Sequence, residues 1–302
     1  MAEIVGIGCA IFDLMMILDR FPEDDEKMSG RESKVQCGGP CAVALIAASK
    51  LGVSSAYQGK FGDDTYGLTT RDNLGKYGVD LSGVKIIEGA RSPLCVVLSN
   101  QSNGHRACVG GGVSSPELHM TAEDVDLSAL EQAKYFHCDG QNYEAALCAA
   151  KRAHELGVKV SMDLDGGENG REELIGLVDI LIPSERAARM IAGTDDLREA
   201  ARILKKRFNP ETLVITMGPE GGMILENDEI RRYPAFHVNA IDSNGAGDVF
   251  HGAFLAAKVK GFTDYEAARF ASAASAIKCT HFGASEGAPS WKMVEEFLKS
   301  RE

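Results

Sequence analysis

No apolar run in the chain approaches the ~20 residues that a membrane-spanning helix requires, and the opening MAEIVGIG lacks the basic start of a secretory signal. A soluble protein of the cytoplasm, with no membrane partner, is the expectation. Positive charge is also scarce: 32 Lys and Arg stand against 44 Asp and Glu, a formal charge of -12, which leaves no basic field to hold a nucleic-acid backbone. The eight cysteines, Cys9, Cys37, Cys41, Cys95, Cys108, Cys138, Cys148 and Cys279, contain no C-x-x-C pair and stand mostly among apolar neighbours. They read as reduced core thiols, so neither a disulfide framework nor a zinc site is indicated. Aromatic residues make up only 7% of the chain, so the sequence identifies no aromatic shelf for a nucleobase. Repeats, low-complexity tracts and Pro/Gly-rich linkers are absent, and residues 1–302 read as one domain.

What remains is 302 residues that are 44% apolar, enough to bury a large core. Short apolar, β-branched runs at 3–9, 135–138, 159–163, 180–182 and 213–217 alternate with helical patterns such as 42–51 and 143–156. That rhythm predicts an α/β fold, a mostly parallel central sheet covered by helices. Two stretches break it. Residues 11–35 are extended and charged, and residues 94–109 read as a hairpin of 95–99 and 105–109 around Asn103 and Gly104. Together, over about 11–35 and 92–112, they are taken as a small β lid. The last third turns helical at 249–260, 265–280 and 291–299, and Ala268, Ala271, Ser272 and Ser275 would let a backbone or a flat ligand approach the middle helix closely.

The segment Asp242-Ser243-Asn244-Gly245-Ala246-Gly247-Asp248-Val249-Phe250-His251-Gly252 ends a loop and opens a helix. Gly245, Ala246 and Gly247 leave backbone N–H groups uncovered at the positive end of that helix, where an anion is stabilised. Asp248 falls in the first turn, a potential base beside the place where a phosphate would rest. Taken alone, a glycine-rich loop ending in a capping aspartate would account for it equally well.

The segment does not stand alone. Gly38-Gly39-Pro40 through Gly52, Gly59-Lys60-Phe61-Gly62-Asp63 with Tyr77-Gly78-Val79-Asp80, Gly104-His105-Arg106, Thr216-Met217-Gly218-Pro219-Glu220-Gly221, and Asp242 to Asp248 follow one another along the chain. In that order they resemble the ribokinase-like (PfkB) family of ATP-dependent carbohydrate kinases over nearly the whole length. The stretch around Arg269 to Thr280 is most similar to the sulfofructose kinase branch. The resemblance implies a three-layer fold with a β lid, ATP and Mg2+ as cofactors, a sugar as substrate, and homodimers paired through the lid. It makes Asp248 the base that accepts the proton of a sugar hydroxyl, with Gly245, Ala246 and Gly247 around the transferred phosphoryl group. Thr216, Gly218, Gly221 and Ser272 would line the nucleotide, and Asp13, Gly38 and Gly39 the sugar, with Arg106 reaching in from the lid. Many members also hold a monovalent cation such as K+ beside the anion hole, at positions matching Asp242, Asn244, Lys278, His281 and Gly283.

Three features depart from the family pattern. Val43 replaces a sugar-binding Asn, Ser272 replaces an Asn beside adenine, and the N-x-x-E motif near magnesium and phosphate becomes Ser184-Glu185-Arg186-Ala187. Glu185 could serve there through water or be a solvated helix-start acid. From the residues themselves, Asp139 and Asp165 join Asp13 as acidic candidates for the sugar pocket, which favours a neutral polyol; with the resemblance, the expected substrate is a neutral sugar of ketohexose or pentose type, with a primary hydroxyl as acceptor. A nucleoside kinase and a sugar- or nucleotide-binding sensor without chemistry are the alternatives. A dinucleotide fingerprint fails because Ile11 stands where its third glycine is needed, and a P-loop fails because Phe61 follows Gly59-Lys60.

Overall fold

The computed structural model describes residues 2–102, 106–111, 114–166, 170–226 and 229–301. In chain order the strands are β1 (Ile4–Ile7), β2 (Ile11–Leu18), β3 (Glu32–Gly38), β4 (Ser55–Gly62), β5 (Val84–Ile87), β6 (Leu94–Asn100), β7 (Arg106–Gly111), β8 (Tyr135–Cys138), β9 (Lys159–Leu164), β10 (Ile180–Pro183), β11 (Thr212–Thr216), β12 (Gly222–Glu226) and β13 (Glu229–Tyr233). The α-helices are α1 (Pro40–Lys50), α2 (Thr65–Lys76), α3 (Tyr143–Leu156), α4 (Glu172–Ile175), α5 (Glu185–Ala192), α6 (Leu197–Phe208), α7 (Ala246–Val259), α8 (Asp264–Cys279), α9 (Ala284–Gly287) and α10 (Trp291–Lys299).

A nine-stranded sheet runs in the order β13-β12-β11-β10-β9-β8-β1-β4-β5. From β11 to β5 every pairing is parallel; β12 alone runs against the rest, so its pairings with β11 and β13 are antiparallel. Helices cover both faces, which is why the strands read as unbroken apolar runs. The side-chain period of two assigns the faces. Ile180, Ile182 and Val214 pack with α1, α7 and α8. Leu181, Leu213 and Ile215 pack with α3, α5 and α6 on the other side. The expected strands and helices are present to within a few residues at each end. The sequence pattern showed neither α2, whose first turn is capped by Asp64 accepting the Gly67 N–H at 2.8 Å, nor the β12–β13 pair.

A second, four-stranded sheet in the order β3-β2-β6-β7 forms the lid. The hairpin of residues 94–109 pairs from Ser99 with Arg106 to Leu94 with Gly111; its expected turn at Asn103 and Gly104, with His105 and residue 112, lies outside the described residues. Register places Asp13, Cys95 and Gly110 in one cross-strand row, then Met15, Val97 and Cys108, then Ile17, Ser99 and Arg106. These rows face the large sheet. The opposite face carries Val35, Leu14, Val96 and Val109 in a single row, and Leu14, Val35 and Val109 are exposed.

Candidate functional site

Strands of one parallel sheet end on the same side, so their C-terminal residues converge there. Cys9 after β1, Asp163 and Asp165 on and after β9, Ser184 after β10 and Thr216 at the end of β11 line a cavity of about 340 Å³ whose other walls are the inner lid face and the start of α7. Asp13, Cys95, Val97, Arg106 and Cys108 come from the lid, Gly38 and Gly39 from the β3–α1 turn, and Asn244 to Asp248 with His251 from the α7 end.

Gly245 precedes α7 in the left-handed conformation (φ 76°), and a Cβ there would lie 2.2 Å from the Ala284 Cβ. Glycine is therefore required by both dihedral and space. The Ala246 N–H bends back to the Ser243 carbonyl at 3.3 Å, so the Gly247 and Asp248 N–H groups, ahead of the helix ladder, present the positive end of α7. Ser275 on α8 donates to the Ala246 carbonyl at 2.7 Å and holds this turn from behind. Burial pushes the Asp248 carboxyl up to about 7; the Asp163 charge adds to this, and His251 and Arg106 oppose it.

His251 lies one helical turn after Asp248, and its Nε2 is 3.2 Å from Asp163 Oδ1. Burial lowers the imidazole pKa, but the Asp163 charge and hydrogen bond outweigh it and leave His251 raised. Burial raises Asp163, and the His251 charge reverses that, leaving it lowered. The two form a buried ion pair beneath Asp248. His137 lies behind, its ring centroid 5.7 Å from that of His251, and burial together with the His251 charge holds it neutral, at about 3.

On the lid side, the Asp13 carboxylate lies flat over the Gly38 backbone, where a Cβ would fall 2.1 Å from Oδ2. Burial pushes Asp13 up to about 7, with the neighbouring Gln36 amide opposing and the Asp242 charge adding to the rise. Arg106 is exposed and spans from β7 to the α7 loop, its Nη1 3.3 Å from Ser243 Oγ and 3.4 Å from the Ser243 carbonyl.

Two further cavities adjoin this one. Thr216, Gly218, Gly221 and Ser272, all expected to line a nucleotide, do line one space of about 400 Å³ with Tyr233, Phe236 and Phe250. Ser184 and Glu185 border a groove of about 770 Å³ that also reaches Thr216 and Gly218. Thr216 borders all three spaces, whereas Ala246 and Gly247 stand between the first two.

Other expected residues lie elsewhere or are already engaged. Asp139 is turned away from the cavity and accepts the N–H groups of Cys9 (2.7 Å), Cys41 (3.2 Å) and Gln141 (3.0 Å), bracing the β1 end against α1. Ser184 caps α5, accepting the Ala187 N–H at 3.2 Å and donating to Asp165 at 3.1 Å. Glu185 is held by Arg189 one turn on, at 2.7 and 3.2 Å. Val43 is on the cavity wall and offers no hydrogen bond. Among the described residues no group of three or more His, Cys, Asp or Glu is placed to hold a metal ion. Asp165 is exposed on the cavity wall. The expected monovalent-cation set does not fit a free ion, because the Lys278 side chain itself enters it: Nζ donates to the Asp242 carbonyl at 2.6 Å. Burial lowers Lys278 from the ordinary lysine value, with the Asp242 charge opposing. Sequence reasoning missed Asp163 and His251. The i to i+3 spacing from Asp248 was the available signal for His251; for Asp163 it was the position at a strand's carboxyl end.

The chain is similar to proteins of one kind throughout. An ATP-dependent ribose-1-phosphate kinase of Halopiger xanaduensis is 28% identical, with 100% of this chain and 99% of that protein aligned. Fructokinase-1 of Zea mays is 29% identical over 87% of this chain and 88% of its own length. The solved structure of Arabidopsis thaliana ribokinase complexed with ribose and ATP superposes with a TM-score of 0.84, at 25% identity and 99% coverage of both chains. A helix start open to two cavities, with a carboxylate in its first turn, suits transfer of a phosphoryl group to an alcohol. The pfkB family carbohydrate kinase profile matches residues 1–291, and the chain belongs to that family of phosphotransferases.

Proposed function

We propose that this kinase transfers the γ-phosphoryl group of ATP to a primary hydroxyl of a small neutral sugar of ketohexose or pentose type. One observation carries the reading: Ala246 and Gly247 border both the acidic cavity under the lid and the cavity of Thr216, Gly218, Gly221 and Ser272. A phosphoryl group passing between the two cavities meets the N–H groups of α7, with Asp248 beside it.

In this reading Asp13 accepts two hydroxyls of the sugar, and the bare backbone of Gly38 and Gly39 lets the ring lie close. Asp248 takes the proton of the attacking hydroxyl. Gly245 sets the turn, and the N–H groups of the first turn hold the charge developing on the transferred group. Mg2+, held by Asp165 and water, would neutralise charge on the β and γ phosphates. The lid excludes water, since hydrolysis of ATP is the competing reaction. The protein acts in the cytoplasm, where ATP is available, as one domain over residues 1–302. It forms a homodimer through the row Val35, Leu14, Val96 and Val109, an apolar band that a second copy of itself would cover.

The wall of the sugar cavity supports a neutral substrate. Asp13, Asp163, Asp165 and Asp248 face it against Arg106 and His251, and Asp163 and His251 already neutralise each other. A sulfonate or phosphate tail would rest on Arg106 alone among acids, which disfavours the sulfofructose substrate that the resemblance around residues 269–280 would imply; the ribokinases, fructokinases and similar kinases to which the chain is related do not show that branch. The cavity's described lining contains no Phe, Tyr or Trp, which disfavours a nucleoside. ADP release should be measured with ribose, fructose, other neutral pentoses and ketohexoses, ribose 1-phosphate, sulfofructose and nucleosides. Turnover confined to neutral sugars is expected; preference for an anionic sugar or a nucleoside rejects the substrate class. Tight sugar binding by calorimetry without turnover rejects the kinase reading in favour of a sensor.

A further inference from the structure

The positions at which the family resemblance places a monovalent cation are occupied by contacts internal to this chain. The Asp242 carboxylate accepts the N–H of Asn244 at 3.0 Å and the N–H of Gly283 at 2.9 Å. Lys278 Nζ donates to the Asp242 carbonyl at 2.6 Å and lies 3.4 Å from Asp242 Oδ2. The carbonyls of the set are engaged too: Lys278 O accepts the His281 N–H at 2.9 Å, and Gly283 O the Gly287 N–H at 3.2 Å. The His281 ring folds onto its own helix end, 3.1 Å from the Ile277 carbonyl.

Lys278 is 0% exposed, on the last turn of α8. A side chain this long and polar is almost never fully buried without a partner that needs it. Here the partner is the residue that starts the α7 loop. Asp242 orders Asn244, which directly precedes Gly245, and Asp248 follows three residues later. Arg106 reaches the same loop from the lid at Ser243, and Ser99 Oγ lies 3.5 Å from Asp242 Oδ1.

We propose that the Lys278 side chain is a tethered monovalent cation: a charged nitrogen carried on the chain that holds residues 242–245 in shape behind the anion-binding turn, so that the enzyme needs no potassium. Lys278 is then a positioning residue, acting on the phosphoryl group through the loop. Its removal leaves the inward Asp242 carbonyl without a donor and the buried carboxylate without its counter-charge.

The inference rests on the kinase reading for its turnover arm and is independent of it for its melting arm. Wild-type protein exchanged into sodium or tetramethylammonium salts should show the same turnover and the same melting temperature when potassium or ammonium is added. Lys278→Ala opens the space of the nitrogen. In sodium it should lose turnover by roughly 10- to 100-fold, as losses of supporting contacts at ion sites do, and melt at a lower temperature. Ammonium or potassium should restore much of both by binding the folded state, and tetramethylammonium, too large for the space, neither. Lys278→Met fills the space without charge and should stay impaired in every salt. Activation or thermal stabilisation of the wild type by potassium overturns the proposal, as does a Lys278→Ala protein unchanged in sodium, or impaired but indifferent to ammonium and potassium. If Lys278→Ala fails to fold, the wild-type salt comparison and Lys278→Met still decide. If no sugar is phosphorylated, the kinase reading fails while the melting arm still reads the cation.

Discussion

In the proposed reaction Asp248 is the base. Asp248→Asn preserves the size and the capping ability of the side chain but removes proton acceptance. Turnover should fall by roughly 10²- to 10⁴-fold with sugar binding retained; an active variant would show that the carboxylate is only a cap. Because Asp248 stands near 7 through burial and Asp163, kcat/KM should decline as the pH drops below about 7, where the base becomes protonated. His251→Gln removes a charge that favours the ionised form, so the inflection should move to higher pH; a profile unchanged in the variant would separate His251 from the base. Asp248 was legible because its meaning is local, three residues after a glycine-rich turn. The pairing of His251 with Asp163 was not, since those residues are far apart in the chain and only the parallel sheet places the end of β9 beneath α7.

At the scale of elements, α7 depends on the turn before it. Gly245→Ala forces a side chain into a positive-φ position and against Ala284. The strained backbone alone should destabilise by about 1–3 kcal/mol, read as a lower urea midpoint with a similar slope, and turnover should fall as the N–H groups tilt. On the lid, Arg106→Ala removes the contact that ties β7 to Ser243. The expected result is a raised sugar KM and faster ATP hydrolysis without sugar; unchanged values would show that the lid closes without it. The lid strands were visible as breaks in the helix–strand rhythm, and α3 and α10 were read at their observed limits. Helix α2 was not visible because it contains Gly67, Gly75 and three threonines and buries only Gly67, Thr70 and Leu74, a stripe too narrow to show a helical period. Strand β13 lies at the sheet edge with only Tyr233 buried, so it shows no clean alternation.

Over the whole molecule, two buried acids set a pH trend. Asp13 and Asp248 have ordinary values of 3.8 and stand near 7 in the fold, so the folded chain holds these protons more tightly than the unfolded one. Their contribution to stability is complete below about 4 and is lost as the pH rises through about 7. The unliganded protein should therefore melt lower at pH 8 than at pH 5.5, and Asp13→Asn or Asp248→Asn should flatten that difference in calorimetry. Light scattering tests the lid pairing: Leu14→Glu with Val35→Glu should convert a dimer into a monomer, and a wild type that is already monomeric would reject it. The cavities carry one more consequence. Seven lid residues, Ile11, Asp13, Gly38, Cys95, Val97, Arg106 and Cys108, wall the cavity proposed for the sugar, and among the described residues none from the lid borders the cavity of Thr216 and Ser272. In the proposed reading, spent nucleotide would be exchanged for fresh without the lid moving, whereas the phosphorylated sugar would leave only when it lifts. Turnover at saturating ATP should then be paced by the escape of that product, and thickening the solvent with sucrose should slow steady-state cycling while leaving the first turnover untouched.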